Sequence, residues 1–307
     1  MIFRIGTRGS TLALNQSQWV KEQLEARHPD LRVELVRIKT TGDRVLDSPL
    51  SRIGGKGLFV KEIEDALLQG QVDVAVHSMK DVPAQLPDPL TLAVFPERES
   101  PHDAFISEQT FSLDTLPHGA RVGTSSLRRG AQLLHLRPDL LISPLRGNVD
   151  TRLGKLASGT VEAVILAAAG LKRMGLQSRV TQILPFDQML PAIGQGALGI
   201  EVRRGDEPTI DRIAFLDHEP TRIQVAAERA LLQRLEGGCQ VPIAGLATLE
   251  QDEVVLEGMV AELDGSMVYR ERLKGTKDQA ATIGKTLAET LLSRGADKIL
   301  TRIYQDS

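Results

Sequence analysis

The only cysteine of this 307-residue chain, Cys239, lies in a glycine-rich segment. The residues from position 236 to position 242 read Glu-Gly-Gly-Cys-Gln-Val-Pro. A free cysteine is most often a small buried hydrophobic side chain, and that interpretation stays open here. Two preceding glycines and a proline three residues later favour a turn with open space around the sulfur. We therefore expect a reactive thiol, and a single cysteine forms neither an internal disulfide nor a cysteine-rich zinc site.

Basic and hydroxylated side chains follow several predicted strands. They lie in the segments 6–11, 77–83, 123–129, 145–152 and 170–173. Open α/β sheets bind ligands beyond the carboxyl ends of their strands, and helix N-termini there offer unpaired N–H groups to anions. A single junction of this kind is usually a helix cap with a solvated arginine. Five of them predict a cleft lined with guanidinium groups for a ligand that carries several carboxylates or phosphates.

Two further residues in such segments have a candidate role. Asp81 is a carboxylate in a positively charged cleft, where it can stabilise a cation that develops during a reaction; an ion pair or a cap is the alternative. Lys56 lies in Ile-Gly-Gly-Lys-Gly-Leu, which lacks the spacing and the hydroxyl of a nucleotide phosphate loop, so we expect it to reach an anion from a flexible loop. The six histidines show no paired spacing, and we expect no metal site.

The amino-acid composition limits the classes of partner that we expect. The formal net charge is −3, which gives no reason to expect a nucleic-acid or membrane partner, although residues 121–155 carry seven basic side chains against two acidic ones. The longest apolar run, at 163–171, is far shorter than a membrane helix. The first ten residues lack the apolar stretch of a signal peptide, and the unpaired cysteine suits a reducing compartment, so we expect a cytoplasmic protein.

The apolar periodicity predicts an α/β fold. Short β-branched runs alternate with amphipathic stretches, first through residues 2–76 and again through residues 121–166. A proline-rich segment at 86–117 and a glycine-rich segment at 191–197 predict two crossings between lobes. We therefore expect a discontinuous first lobe of residues 1–96 and 197–216, a second lobe of residues 97–196, and a small α+β domain of residues 217–307.

Five motifs together resemble one enzyme family. They are Val-His-Ser-Met-Lys-Asp-Val-Pro at 76–83, Gly-Thr-Ser-Ser-Leu-Arg-Arg at 123–129, Leu-Arg-Gly-Asn-Val at 145–149, Gly-Gln-Gly-Ala at 194–197 and the Cys239 segment. Their order and spacing resemble those of the porphobilinogen deaminases, also called hydroxymethylbilane synthases, from one end of the chain to the other. The resemblance implies two lobes like those of periplasmic binding proteins and a third domain. It also implies a monomer.

The resemblance implies a transferase of tetrapyrrole (heme-type) biosynthesis that joins four porphobilinogen molecules head to tail into hydroxymethylbilane, with release of ammonia. It also implies a dipyrromethane cofactor held by a thioether to Cys239, and Asp81 as the catalytic residue. The other cofactor contacts that it implies are Lys80, Thr124, Ser126, Arg128, Arg129 and Arg146. The implied substrate contacts are Arg8, Ser10, Lys56, Arg152, Arg173 and Gln195. Arg52 stands where some relatives carry lysine.

Two other functions stay possible from the residues alone. A non-catalytic anion-binding protein would close its two lobes on a small ligand and use Cys239 only structurally. Such a protein has no need of a reactive thiol in a glycine loop, so the chemistry of Cys239 separates the two hypotheses. A cysteine protease would need His77 beside Cys239 and an oxyanion hole, which the sequence does not favour.

Overall fold

The structure of the protein, a computed structural model, describes residues 2–44, 57–58, 60–109, 111–236 and 241–305. The predictions for Cys239, Lys56 and Arg52 therefore concern residues outside the described ranges, as does most of the loop expected around Lys56.

Strands and helices alternate through the first two thirds of the chain, and strands dominate the beginning of the last third. The strands are β1 (Ile2–Thr7), β2 (Arg32–Arg37), β3 (Val74–Ser78), β4 (Leu90–Val94), β5 (Asp103–Ile106), β6 (Arg121–Gly123), β7 (Leu141–Ser143), β8 (Ala163–Ala167), β9 (Gln182–Ile183), β10 (Leu198–Arg203), β11 (Ile243–Glu250), β12 (Glu253–Ala261) and β13 (Val268–Thr276). The α-helices are α1 (Thr11–Arg27), α2 (Thr41–Arg44), α3 (Lys61–Leu68), α4 (Leu127–Leu136), α5 (Val149–Ala157), α6 (Ala168–Arg173), α7 (Glu207–Ile213), α8 (Glu219–Arg234), α9 (Ala280–Leu291) and α10 (Asp297–Gln305).

The first sheet has the strand order β2-β1-β3-β10-β4. β1 is parallel to β2 and β3, whereas β10 returns from far along the chain and pairs antiparallel with both β3 and β4. One face buries Phe3 and Ile5 against Val20 and Leu24 of α1. Because β1 and β3 are parallel neighbours, the residues that follow them meet at one edge of the sheet.

The second sheet has the strand order β7-β6-β8-β5-β9. β6 is parallel to β7 and β8, and β5 is antiparallel to β8 and β9. Its strands are short and apolar, and Phe105, Val122 and Ile165 are buried together with Leu133 of α4. The carboxyl ends of β6, β7 and β8 therefore present three successive loops at one edge.

The third sheet is an antiparallel meander, β11-β12-β13, covered by α8 and α9. The two helices approach closely because Gly284 of α9 lies against α8; a Cβ there would be 2.2 Å from the carbonyl oxygen of Ala227. Two α/β lobes and a small C-terminal α+β domain confirm the predicted fold class. Among the described residues, no helix has the length and apolar composition needed to cross a lipid bilayer.

Two parts of the chain differ from the prediction. The proline-rich segment 86–117, expected only as a connection between the lobes, contains the strands β4 and β5. The prolines of this segment lie beside these strands and not inside them, so they do not prevent strand pairing. The apolar period of residues 277–294 predicts a single helix, but the helix there does not run unbroken. It gives way after Leu291 to a π-helical turn that contains Gly295 at φ 116°, and a separate helix, α10, follows.

The two crossings between the first and second sheets lie side by side and are tied to α8. Arg98 of the first crossing forms a buried ion pair with Glu228 of α8, at 2.6 Å. The same carboxylate accepts hydrogen bonds from the backbone N–H groups of Gly194, in the second crossing, and Ala247, in β11. One buried acid thus connects both crossings with the C-terminal domain.

Candidate active site

A short 3₁₀ turn, Met79–Asp81, follows β3 and carries the two charged residues Lys80 and Asp81. Met79 is buried, and its N–H donates to the carbonyl oxygen of Ala197 in the second crossing at 3.0 Å. Gly194 passes so close that a Cβ there would be 2.7 Å from the Met79 Cβ. This anchoring holds the backbone of the turn and leaves Lys80 and Asp81 half-buried at the carboxyl edge of the first sheet.

Charged groups of both lobes surround Lys80. Burial lowers the pKa of Lys80; the neighbouring Asp81 carboxylate opposes this shift, and the positive charge of Arg129 in the second lobe adds to it. The carboxylate of Asp103 also raises this pKa, and the positive charge of Arg152 also lowers it. The 3₁₀ turn of the first lobe therefore faces the arginines of the second lobe.

Arg152 lies at the centre of this cluster of cations. Asn148 caps α5 by accepting the N–H of Thr151 at 2.9 Å, and the Nε of Arg152 donates back to the carbonyl oxygen of Gly147 at 3.0 Å. Burial lowers the pKa of Arg152 to about 10, with a further lowering by the positive charge of Arg129. Asp81 partly offsets these effects. A guanidinium group with a lowered pKa is one that a ligand carboxylate would stabilise.

The arginine pair of α4 is held from within the protein. Arg128 donates to one oxygen of Asp103 at 2.8 Å, and Arg129 donates to the other oxygen at 2.6 and 3.0 Å. All three side chains are at most 6% exposed. Burial alone would raise the pKa of Asp103, but the two guanidinium groups hold that pKa well below its usual range.

Sequence reasoning missed Asp103. The available signal was a carboxylate at the start of an otherwise apolar strand, because such a residue is buried only when it is paired. The resemblance implies Arg128 and Arg129 as cofactor contacts, and the structure also pairs both with Asp103. The remaining N–H groups of these arginines are what they can offer to a ligand.

The residues of this cluster suit a group with several carboxylates. Five cations share the region with the two carboxylates Asp81 and Asp103; they are Lys80, Arg128, Arg129, Arg146 and Arg152. The Nε of Arg128 is buried and has no hydrogen-bond partner among the described residues. A positive excess and an unused buried donor together fit a polyanionic ligand.

Three predicted polar contacts are engaged inside the protein. Thr124 accepts the N–H of Ser126 at 3.1 Å, and Ser10 caps α1 by accepting the N–H of Ala13 at 3.3 Å. Gln195 is buried and donates to the Pro101 carbonyl and to Asp103, at 2.7 and 3.1 Å. Their contact with a ligand stays a prediction, as does that of Ser126, which caps α4.

The last two predicted arginines lie at the edges of the cleft. Arg173, at the end of α6, donates to the Gly196 carbonyl at 2.8 Å, and its own carbonyl accepts the side-chain N–H of Asn15 in α1 at 3.0 Å. Arg173 therefore stands where α1 of the first lobe meets α6 of the second. Arg8 follows β1, directly beside the end of β3 in the same parallel pair.

Two solved structures are similar to part of the chain. The VFT2 domain of Bordetella pertussis BvgS has a TM-score of 0.42 at 14% identity, covering 69% of this chain and 84% of that one. The probable amino-acid ABC transporter extracellular-binding protein ytmK from Bacillus subtilis has a TM-score of 0.42 at 14% identity, covering 70% of this chain and 90% of that one.

Family models and curated relatives cover nearly the whole chain. The model described as "Porphobilinogen deaminase, dipyromethane cofactor binding domain" matches residues 3–211, and "Porphobilinogen deaminase, C-terminal domain" matches residues 222–293. The porphobilinogen deaminase of Trichlorobacter lovleyi is 55% identical over 303 residues, covering 98% of this chain and 96% of the relative. That of Syntrophotalea carbinolica is 55% identical over 300 residues, with coverages of 98% and 95%. The chain therefore belongs to the porphobilinogen deaminase family.

Proposed function

We propose that Asp81 is the catalytic residue of this chain and that Cys239 is the attachment point of its cofactor. The chain is a transferase of tetrapyrrole biosynthesis: it joins four porphobilinogen molecules head to tail into hydroxymethylbilane and releases ammonia at each addition. The observation that carries the assignment of Asp81 is its position. It lies in the turn that faces Arg129 and Arg152 of the other lobe, at the carboxyl edge of the first sheet.

Asp81 acts through the charge that develops on the substrate. Loss of ammonia from porphobilinogen leaves a strong electrophile whose positive charge is shared with the pyrrole nitrogen. A fixed carboxylate beside that nitrogen lowers the barrier, because it stabilises the charge without reorganising during the reaction.

The cationic cluster holds the acidic side chains of the pyrroles. When bound, the dipyrromethane supplies a covalent acceptor to which substrate units are added. Each pyrrole carries an acetate and a propionate, so the positive excess around Arg152 suits both the cofactor and the growing chain. The residues that would hold the cofactor are Lys80, Thr124, Ser126, Arg128, Arg129 and Arg146, with Cys239 as the covalent link.

The family resemblance assigns the carboxylates of the incoming substrate to a second set of residues. They are Arg8, Ser10, Lys56, Arg152, Arg173 and Gln195. A charge-assisted hydrogen bond to such a group contributes about 1.5–3 kcal/mol when it is partly desolvated. Several such contacts would hold the growing pyrrole chain, which gains negative charge at every addition. The thioether to Cys239 would keep that pyrrole chain attached to the protein.

The chain organisation forms part of the proposal. The first lobe comprises residues 1–96 and 197–216, supported by the place of β10 inside the first sheet. Residues 97–196 form the second lobe, which accounts for β5 to β9, and residues 217–307 form the C-terminal domain. We propose a monomeric cytoplasmic enzyme without a nucleic-acid or membrane partner, supported by the net charge of −3 and the single unpaired cysteine.

Intact-protein mass spectrometry of the chain and of Cys239→Ser tests the proposal. We expect freshly purified protein to carry the extra mass of two linked pyrroles, and a proteolytic digest to locate it on the peptide that contains Cys239. Cys239→Ser should have the unmodified mass and no turnover, with an unchanged circular dichroism spectrum. Protein from a substrate-starved host is first incubated with porphobilinogen.

Two results would contradict the proposal. One is a chain that stays unmodified and inactive after that incubation, as a non-catalytic anion-binding protein would. The other is normal turnover by Cys239→Ser, which would remove the thioether from the mechanism.

A further inference from the structure

An arginine of the C-terminal domain reaches the turn that carries Asp81. Arg229 lies on α8, and its Nη2 donates to the carbonyl oxygens of Pro83 and Ala84 at 2.9 and 3.1 Å. These are the second and third residues after Asp81. A group 146 residues away in sequence thus contacts the backbone immediately after the catalytic carboxylate.

The contact completes the anchoring of the turn. Its beginning is held by the hydrogen bond between Met79 and Ala197, and the N–H of Val82 donates to the carbonyl oxygen of Met79 at 3.2 Å. Pro83 has no N–H of its own, so its carbonyl group is the only backbone group with which it can make a hydrogen bond. Arg229 supplies a donor to this carbonyl group and to the next one along the chain, and Val225, one turn earlier on α8, packs in the same cluster as Met79 and Val82.

Burial of Arg229 is costly for the fold. The Nη1 of Arg229 is buried without a hydrogen-bond partner among the described residues. Burial lowers the pKa of Arg229, and the charge of Glu201 in β10 opposes that shift. Leaving a charged donor unsatisfied destabilises a fold, so the residue calls for an explanation beyond stability.

We propose that Arg229 is a positioning residue for Asp81. It fixes the backbone that follows Asp81 to α8, and so sets where the carboxylate stands when positive charge develops on the substrate. The inference rests on the proposed catalytic role of Asp81. A displacement of about 1 Å at a reacting centre is enough to lower a rate about 100-fold, so a backbone clamp two residues away can control turnover.

The test compares Arg229→Met and Arg229→Lys with Arg234→Met. Arg234 lies on the same helix, but it is exposed and pairs with Glu289 on the surface. In loaded enzyme we expect Arg229→Met to lower kcat at least about tenfold with KM within about twofold, since the carboxylate groups of the substrate bind elsewhere. Arg229→Lys keeps the charge and a donor and should recover part of the loss. Arg234→Met should behave as the unchanged chain.

Hydrogen exchange supplies a readout that is independent of turnover. Peptides covering residues 79–86 should exchange faster in Arg229→Met than in Arg234→Met, while the attached cofactor mass stays the same. Equal exchange and equal kcat in these two variants would overturn the inference. So would a loss that appears only in KM. If Arg229→Met does not fold, Arg229→Lys is the deciding variant. The inference would also be overturned if the crystal structure of Arg229→Lys lacked the contact with Pro83 while its kcat and its exchange were normal.

Asp81→Asn, measured in parallel, separates the two proposals. If Asp81→Asn turns over normally, the catalytic role of Asp81 is wrong and Arg229 has nothing to position. If Asp81→Asn is inactive while Arg229→Met is normal in rate and exchange, only the inference about Arg229 fails.

Discussion

At the scale of single residues, the cations of the cleft do two different things. Arg128 and Arg129 are buried against Asp103, whose single negative charge offsets half of their combined positive charge inside the protein. Lys80 and Arg152 are half-buried in a region of excess positive charge, and their pKa values are lowered as a result. The first pair is held in place by contacts within the protein. The charged forms of the second pair are the ones that bound ligand carboxylates would stabilise most.

Replacement of Asp81 tests the central residue of this arrangement. We expect Asp81→Asn to lower kcat at least about 100-fold, because it removes a charge aimed at the developing cation and keeps the shape. The KM should change little, and cofactor attached before purification should remain, as judged by intact mass. Asp88→Asn, an exposed carboxylate a few residues further on, is the matched control. An unchanged kcat in Asp81→Asn would assign the stabilisation of the cation to another group.

At the scale of elements, the strands beneath the Asp81 turn carry a buried ionisable group of residues. His77 in β3 lies 2.9 Å from Glu201 in β10, and both side chains are buried. Glu64 of α3 is close to them; burial raises the pKa of Glu64 to about 7, helped by Glu201 and Asp65 and opposed by His77. These side chains link α3 to the strand pair that ends at the Asp81 turn.

The raised pKa of Glu64 predicts how stability depends on pH. Between pH 4.5, the ordinary value, and about 7, the unfolded chain loses this proton while the folded chain keeps it, so folding becomes less favourable as the pH rises. Glu64→Gln resembles the protonated acid. Its unfolding free energy should rise relative to that of the natural chain by up to about 3 kcal/mol between pH 4.5 and about pH 7, and this difference should stay constant at higher pH.

Urea denaturation at a series of pH values measures this difference. A Glu64→Gln difference that is constant from pH 4.5 to pH 8 would show that Glu64 titrates normally in the folded protein.

At the scale of the whole molecule, the C-terminal domain touches both lobes at functional elements. Its α8 holds the two crossings through Glu228 and the Asp81 turn through Arg229. A loop between β12 and β13 packs on α4, the helix of the arginine pair, where the carbonyl of Gly265 lies 2.8 Å from the Nδ1 of His135. Gly265 has φ 72°, and a Cβ there would be 2.4 Å from the backbone nitrogen of His135.

Replacing this glycine should loosen the domain contact. Gly265→Ala combines a left-handed backbone with a clash, whereas Gly205→Ala has φ +80° and open space, so it isolates the backbone effect. We expect Gly205→Ala to cost about 1–2 kcal/mol and Gly265→Ala about 1–3 kcal/mol more. The midpoint of urea unfolding measures both. Equal losses in the two variants would show that the loop moves away from α4 at no cost.

Local patterns were sufficient for much of the fold. The sequence pattern predicts helices at 11–27, 127–136 and 149–157, and these are the bounds of α1, α4 and α5. Side-chain caps such as Ser10, Ser126 and Asn148 and a helical apolar period are local signals. The strands β4 and β5 were missed because they are short and lie among prolines. The family, its reaction and its cofactor were also predicted correctly, because the motifs that identify them are short sequence segments in a fixed order and spacing.

The sequence alone determined the residue types at the cleft, the succession of strands and helices, and the family. The three-dimensional contacts were needed to show which polar groups pair: Asp103 with the arginine pair, Gln195 with Asp103, and Arg229 with the backbone after Asp81. The reason is physical. The energy of a charge pair depends on distance and on burial, and neither follows from the separation of two residues along the chain.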